Sequence, residues 1–117
     1  MTISEFVKHY ILHDSLIDNV EIIDSGKTIA IWVDFAFWMQ NWYKESQPET
    51  GMIKIMFKNV IEYDIPNGVD WSEISILEAQ GEADFLKLAL LNDMTDEYLE
   101  IMIKPESITV IDDTITE

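Results

Sequence analysis

Residues Ile29–Trp38 run Ile-Ala-Ile-Trp-Val-Asp-Phe-Ala-Phe-Trp, and the alternation in this stretch decides the fold. Ile29, Ile31, Val33, Phe35 and Phe37 interleave with Ala30, Trp32, Asp34, Ala36 and Trp38. A period of two places the first set on one side of a β-strand and the second on the other. Both sets are largely apolar, which predicts a central strand with cover over each face. An amphipathic helix is the obvious cover for one of them.

Working outward, the same period returns. Upstream, Val20 and Ile22 alternate with Asn19, Glu21 and Ile23, and Ser25-Gly26-Lys27 supplies a hairpin turn. Downstream, residues 41–51 predict an exposed polar loop. Then Ile53, Ile55 and Phe57 face one way while Met52, Lys54, Met56 and Lys58 face the other, with pairing continuing through Val60 towards Ile65. Pro66-Asn67-Gly68 is a turn. Ile74 and Ile76 open another strand, and Gln80-Gly81-Glu82 turns the chain again. Leu86–Asn92 alternates like a strand but has the leucine, lysine and alanine content of a short helix. Leu99, Ile101 and Ile103 form the next strand, Ile108 and Val110 a short last one, and the tail Asp112–Glu117 is expected to fray.

At the start of the chain, Thr2 and Glu5 fit a capping box. Phe6, Val7, Tyr10 and Ile11 recur at helical spacing, which predicts a helix over residues 2–13. The predicted class is α+β: an N-terminal helix packed on a curved antiparallel sheet or sandwich of about six or seven strands. Residues 1–117 form a single acidic globular domain in this reading, without repeat or linker.

Charge narrows the function. The chain carries 23 acidic residues against 7 basic, a formal net charge of -16. Every basic residue is lysine, so the bidentate phosphate clamp and the guanine-reading fork of arginine are missing. An acidic body also repels the phosphate backbone, which argues against nucleic acid as a partner. It attracts basic proteins, although net charge can equally serve only to keep a small apolar-rich domain soluble. There is no cysteine, which removes disulfides, thiolate metal sites and thiol nucleophiles. No apolar run has the length of a membrane span and the first residues lack a secretory pattern, so a cytoplasmic location is expected.

Three constellations could carry chemistry. His9 and His13 are four apart on the predicted helix with Asp14 adjacent, a weak metal-site candidate because no further ligand is fixed by spacing. His13, Asp14 and Ser15 do not make a triad, since consecutive residues at a helix end diverge; they suit the last helical carbonyls and the first turn amides better. Trp32, Asp34 and Trp38 share one predicted strand face, with Trp42 and Tyr43 just beyond. Indoles flanking a carboxylate suit a sugar or an organic cation, and exposed aromatics suit a protein partner. Equally, tryptophans on a central strand can be core, with Asp34 paired to Lys54 or Lys58 or facing an open groove. Calcium-loop, phosphate-loop and dinucleotide motifs are absent, so no cofactor and no catalysis are expected.

Leu12-His13-Asp14-Ser15 after a short helix, the aromatic Asp34-Phe35-Ala36-Phe37-Trp38, and Lys54-Ile55-Met56-Phe57-Lys58-Asn59-Val60 together resemble small acidic bacterial proteins of uncharacterised β-rich families. Some similar proteins are grouped with immunity proteins of polymorphic toxin systems. The resemblance implies a β-rich fold with an N-terminal helix and a protein partner, a basic toxin being the kind that charge would suit. It carries over no catalytic residue.

Overall fold

The computed structural model describes residues 1–112. Helix α1 (Ile3–His9) precedes eight strands: β1 (Leu16–Ile23), β2 (Thr28–Ala36), β3 (Thr50–Lys58), β4 (Glu62–Asp64), β5 (Ile74–Gly81), β6 (Leu86–Asn92), β7 (Glu97–Lys104) and β8 (Ser107–Asp112). They form one sheet in the order β4-β7-β6-β5-β1-β2-β3-β8, and every pairing is antiparallel. No helix among the described residues is long and apolar enough to cross a membrane.

Strand β2 is central, between β1 and β3, as its two apolar faces predict. Its odd-numbered set, Ile29, Ile31, Val33 and Phe35, is fully buried. The sheet itself supplies most of their cover. Strands β1 and β5 share a single residue pair, Leu16 with Ser75. Beside it each strand has a bulge, the inserted residues being Asp18 and Leu77. Bulges bend a strand and increase its twist. The two four-stranded halves consequently face a common core, in which Ile31, Ile55 and Ile108 meet Ile76, Leu88 and Ile101.

Helix α1 seals the side left open between β5 and β8. Its capping box forms as the sequence predicts, with Glu5 N–H donating to Thr2 Oγ1 (3.1 Å) and Thr2 N–H to Glu5 Oε1 (2.7 Å). Ile3 and Phe6 enter the core. The Met1 ammonium donates to Ile108 O (2.7 Å) and Ile108 N–H returns a bond to Met1 O (2.9 Å), which fixes the chain start to β8.

Several sequence expectations need correction. The helix ends at His9 rather than residue 13. Beyond it, Ile11 gives both of its backbone groups to the side-chain amide of Gln40, each at 2.8 Å, so the chain leaves the helical path. The sheet has eight strands, not six or seven. The additional strand arises because Asn59, at φ +51°, stops β3. Ile61 N–H then donates to Lys104 O (2.9 Å), and Glu62–Asp64 pairs with β7. Leu86–Asn92 is a strand. Asp112 closes β8, and the fraying expected beyond it falls outside the described residues.

The hairpin between β1 and β2 depends on Gly26. Its φ is +93°, and a Cβ there would stand 2.7 Å from Tyr63 Cε1. The positive φ favours glycine, and a Cβ there would displace the Tyr63 ring that β4 lays against the turn.

Candidate functional site

The even-numbered residues of β2 form its other face, where Ala30 and Ala36 are buried and Trp32 and Asp34 half-buried. In-register pairing builds this outer face row by row. Leu16, Asp34 and Met52 form one row, then Asn19, Trp32, Lys54 and Ile111, then Glu21, Ala30, Met56 and Thr109. Leu16 is 45% exposed and Ile111 43%, and Trp32 is half-buried by its neighbours. The helix is not the cover for this face, because α1 packs on β5 and β8 at the side of the sheet.

Charge on this face is balanced within an otherwise acidic molecule. Lys54 Nζ stands 5.0 Å from the centroid of the Trp32 ring, a cation–π contact. Asp34 is half-buried and forms no ion pair among the described residues; neither Lys54 nor Lys58 reaches it, in contrast to the pairing that the sequence allows. Elsewhere Lys87 pairs with Glu100 (3.1 Å) and Lys104 with Asp84 (3.3 Å).

The five aromatic and acidic candidates separate into distinct settings. Trp32 and Asp34 lie on the open face. Trp38 follows the end of β2 in a 3₁₀ turn, Phe37–Met39, with its N–H bonded to Glu49 O (3.1 Å) and its side chain 48% exposed. The end of the strand breaks the alternation, so Trp38 does not continue the Trp32–Asp34 register, and no ring contact joins the two indoles among the described residues. Trp42 sits at the end of α1. Its Nε1–H donates to His9 O (2.9 Å), and its ring stacks on His9 at 5.3 Å and meets Tyr10, Phe35 and Phe37. Tyr43 donates its hydroxyl to Gln47 O (3.2 Å) and is half-buried. The loop is exposed along Lys44–Ser46 and Pro48–Glu49, whereas its two aromatics fold inward.

This second cluster is structural in its geometry. Tyr10 packs against Phe6 and Phe35, and burial, followed by the Asp112 charge, pushes its phenol pKa up. His9 and His13 do not share a helix face, because α1 ends between them. His13 Nδ1–H instead donates to Leu77 O (2.7 Å) at the β5 bulge, and its Nε2 lies 3.5 Å from Asp14. No group of three histidine or carboxylate side chains able to hold a metal ion occurs among the described residues.

Concave sites lie elsewhere. A cleft of about 650 Å³ runs beside α1, lined by Ile3, Val7, Ile61 and Pro105 with Lys8 and Lys104 at its margin. A smaller one, about 370 Å³, lies between Tyr10–His13 and Leu77–Ala79. Neither includes Trp32, Asp34 or Trp38.

Leu16 and Ile111 complete the open face, and neither is singled out by the sequence reading. The signal for Ile111 is its alternation with Val110. Leu16 is concealed by the bulge at Asp18, which shifts the phase of β1. Comparison with known proteins finds no match to the chain among family models, curated proteins or solved structures.

Proposed function

We propose that this chain is a non-catalytic acidic binding domain that neutralises a basic protein in the cytoplasm, in the manner of an immunity or inhibitor protein. The observation that carries the reading is the open face of Trp32 on a body of net charge -16. A half-buried indole on a face that also exposes Leu16 and Ile111 is the kind of anchor that dominates protein interfaces. The surrounding acidic surface attracts a basic partner over distance and speeds encounter. Trp32 and Asp34 form the contact centre and Trp38 its margin. Trp42 and Tyr43 act from behind by fixing the loop that follows β2.

A sugar or an organic cation bound around Asp34 has less support. Lys54 already lies over Trp32, Trp38 turns off the strand, and neither cleft described above includes Asp34. Capture from a lysate of the source organism at low ionic strength tests the proposal. The expected result is one basic protein in near-stoichiometric amount, released by a salt step and not retained by Trp32→Ala. Capture of an acidic or neutral protein, or equal retention by the variant, contradicts it.

A further inference from the structure

The turn Pro66-Asn67-Gly68 lies between β4 and β5 and has no part in the Trp32 face. Ile65, Val69 and Trp71 pack on the core, so the loop is held on both sides while Asn67 and Gly68 are exposed at its tip. A Cβ placed on Gly68, whose φ is +70°, would have nothing within 4 Å of it. Among the described residues, neither the Asn67 carboxamide nor the Gly68 N–H makes a hydrogen bond. Asn67 is also the one asparagine that precedes glycine; Asn19 and Asn59 precede valine, Asn41 tryptophan and Asn92 aspartate. Two of these others are tied down. Asn59 Nδ2–H donates to Glu106 (3.2 Å), and Asn92 Oδ1 accepts from the Met94 and Thr95 amides (2.9 and 3.2 Å).

We propose that Asn67 is a site of spontaneous deamidation and isoaspartate formation, the reactants being the Gly68 backbone nitrogen and water. A nucleophile and an electrophile in adjacent residues react with the advantage of an intramolecular step. Base removes the Gly68 amide proton, and the nitrogen attacks Asn67 Cγ. The new N–Cγ bond closes a succinimide as the Cγ–Nδ2 bond breaks, and the carboxamide nitrogen leaves as ammonia after taking a proton from water. A water molecule then opens the ring at one of its two carbonyls. Opening at Cγ gives aspartate; opening at the main-chain carbonyl gives isoaspartate, with the chain running through Cβ and Cγ. Gly68 permits the attack because no Cβ shields its nitrogen, and the space around it leaves the loop tip room to close the ring. The product adds a carboxylate between Asp64 and Asp70 and takes the net charge one unit below -16. Isoaspartate also lengthens the main chain by one methylene between the packed residues Ile65 and Val69. The inference stands whether or not the chain has a basic partner.

Ageing the intact, folded protein and mapping its proteolytic peptides by mass spectrometry tests the proposal. The Asn67 peptide should gain one mass unit at least about tenfold faster than any peptide carrying another asparagine. Methyl transfer from S-adenosylmethionine by an isoaspartate methyltransferase should label that same peptide. The reactive species is the deprotonated amide, so the rate should rise at least about tenfold from about pH 6 to about pH 8. Because the fold leaves the loop tip open, the native rate should lie within about tenfold of the rate in urea-unfolded protein. Asn67→Gln sets the carboxamide one methylene farther from the nitrogen and should stop the reaction. Gly68→Ala should slow it at least about tenfold in the native and the unfolded chain alike. A mass gain spread evenly over the asparagines, a native rate suppressed more than about tenfold relative to the unfolded chain, or a rate unchanged by Gly68→Ala overturns the inference.

Discussion

Phe35→Ala should remove about 3–5 kcal/mol of stability, as expected for an aromatic truncated inside a close-packed core. Phe35 is fully buried at the point where the sheet, α1 and the loop after β2 meet. Its ring lies edge-on to Phe37 at 5.1 Å and to Tyr10 at 5.7 Å, and near-parallel to Trp42 at 6.4 Å. Alanine leaves a void that all three rings would border, and the sheet cannot collapse to fill it because β2 is paired on both sides. For a domain of this size the loss lowers Tm by roughly 10–20 °C, a large part of a total stability of about 5–15 kcal/mol. Trp38→Ala, on a side chain nearly half exposed, should cost less than about 1 kcal/mol. Thermal denaturation followed by circular dichroism measures both. Equal shifts for the two variants would mean that the aromatic cluster does not hold the fold.

Gln40→Met should cost about 2–4 kcal/mol, although it keeps the length and most of the volume of the side chain. Gln40 is 5% exposed, and its amide makes three bonds: from Ile11 N–H (2.8 Å), to Ile11 O (2.8 Å) and to Ala36 O (3.0 Å). A thioether cannot replace them, so the Ile11 backbone groups lose their partner in a part-buried site and the buried Ala36 O loses one of its bonds, while Ala36 N–H keeps Ser15 Oγ (3.0 Å). The effect is expected to be local as well as global. Hydrogen exchange should accelerate first at the Ile11 amide and then at Asp14, whose N–H donates to Ile76 O (3.0 Å). A variant with unchanged protection at these two amides would show that Gln40 does not determine where the helix stops.

These two positions also show what the sequence discloses and what it conceals. The alternation along Ile29–Ala36 depends only on neighbours in the chain, so the central strand and its two faces are legible from it. The outward set of β3, Met52, Lys54, Met56 and Lys58, is legible for the same reason. The helix end is not. Its 3.6-residue pattern runs on through Tyr10 and Ile11, and the side chain that interrupts it, Gln40, lies 29 residues away. Nor is the cover over Trp42 visible locally, since polar neighbours suggest exposure while His9, Tyr10 and Phe37 enclose the ring from elsewhere. Leu16 reaches the open face only because Asp18 is inserted in β1, and a bulge shifts the very phase that pattern reading relies on. Residues 62–64 read as a continuation of β3 because the left-handed turn at Asn59 leaves no mark in the hydrophobic pattern.

In the proposed function, an acidic domain steers a basic protein onto the Trp32 face. The rate of association with the captured partner is its most direct measure, followed by stopped-flow fluorescence at increasing ionic strength. Steered association predicts an on-rate at least about tenfold lower at 500 mM than at 20 mM salt, with the off-rate little changed. Trp32→Ala should raise the off-rate at least about tenfold and leave the salt slope of the on-rate intact. An on-rate indifferent to salt, together with a Trp32→Ala variant that dissociates like the wild type, would contradict it.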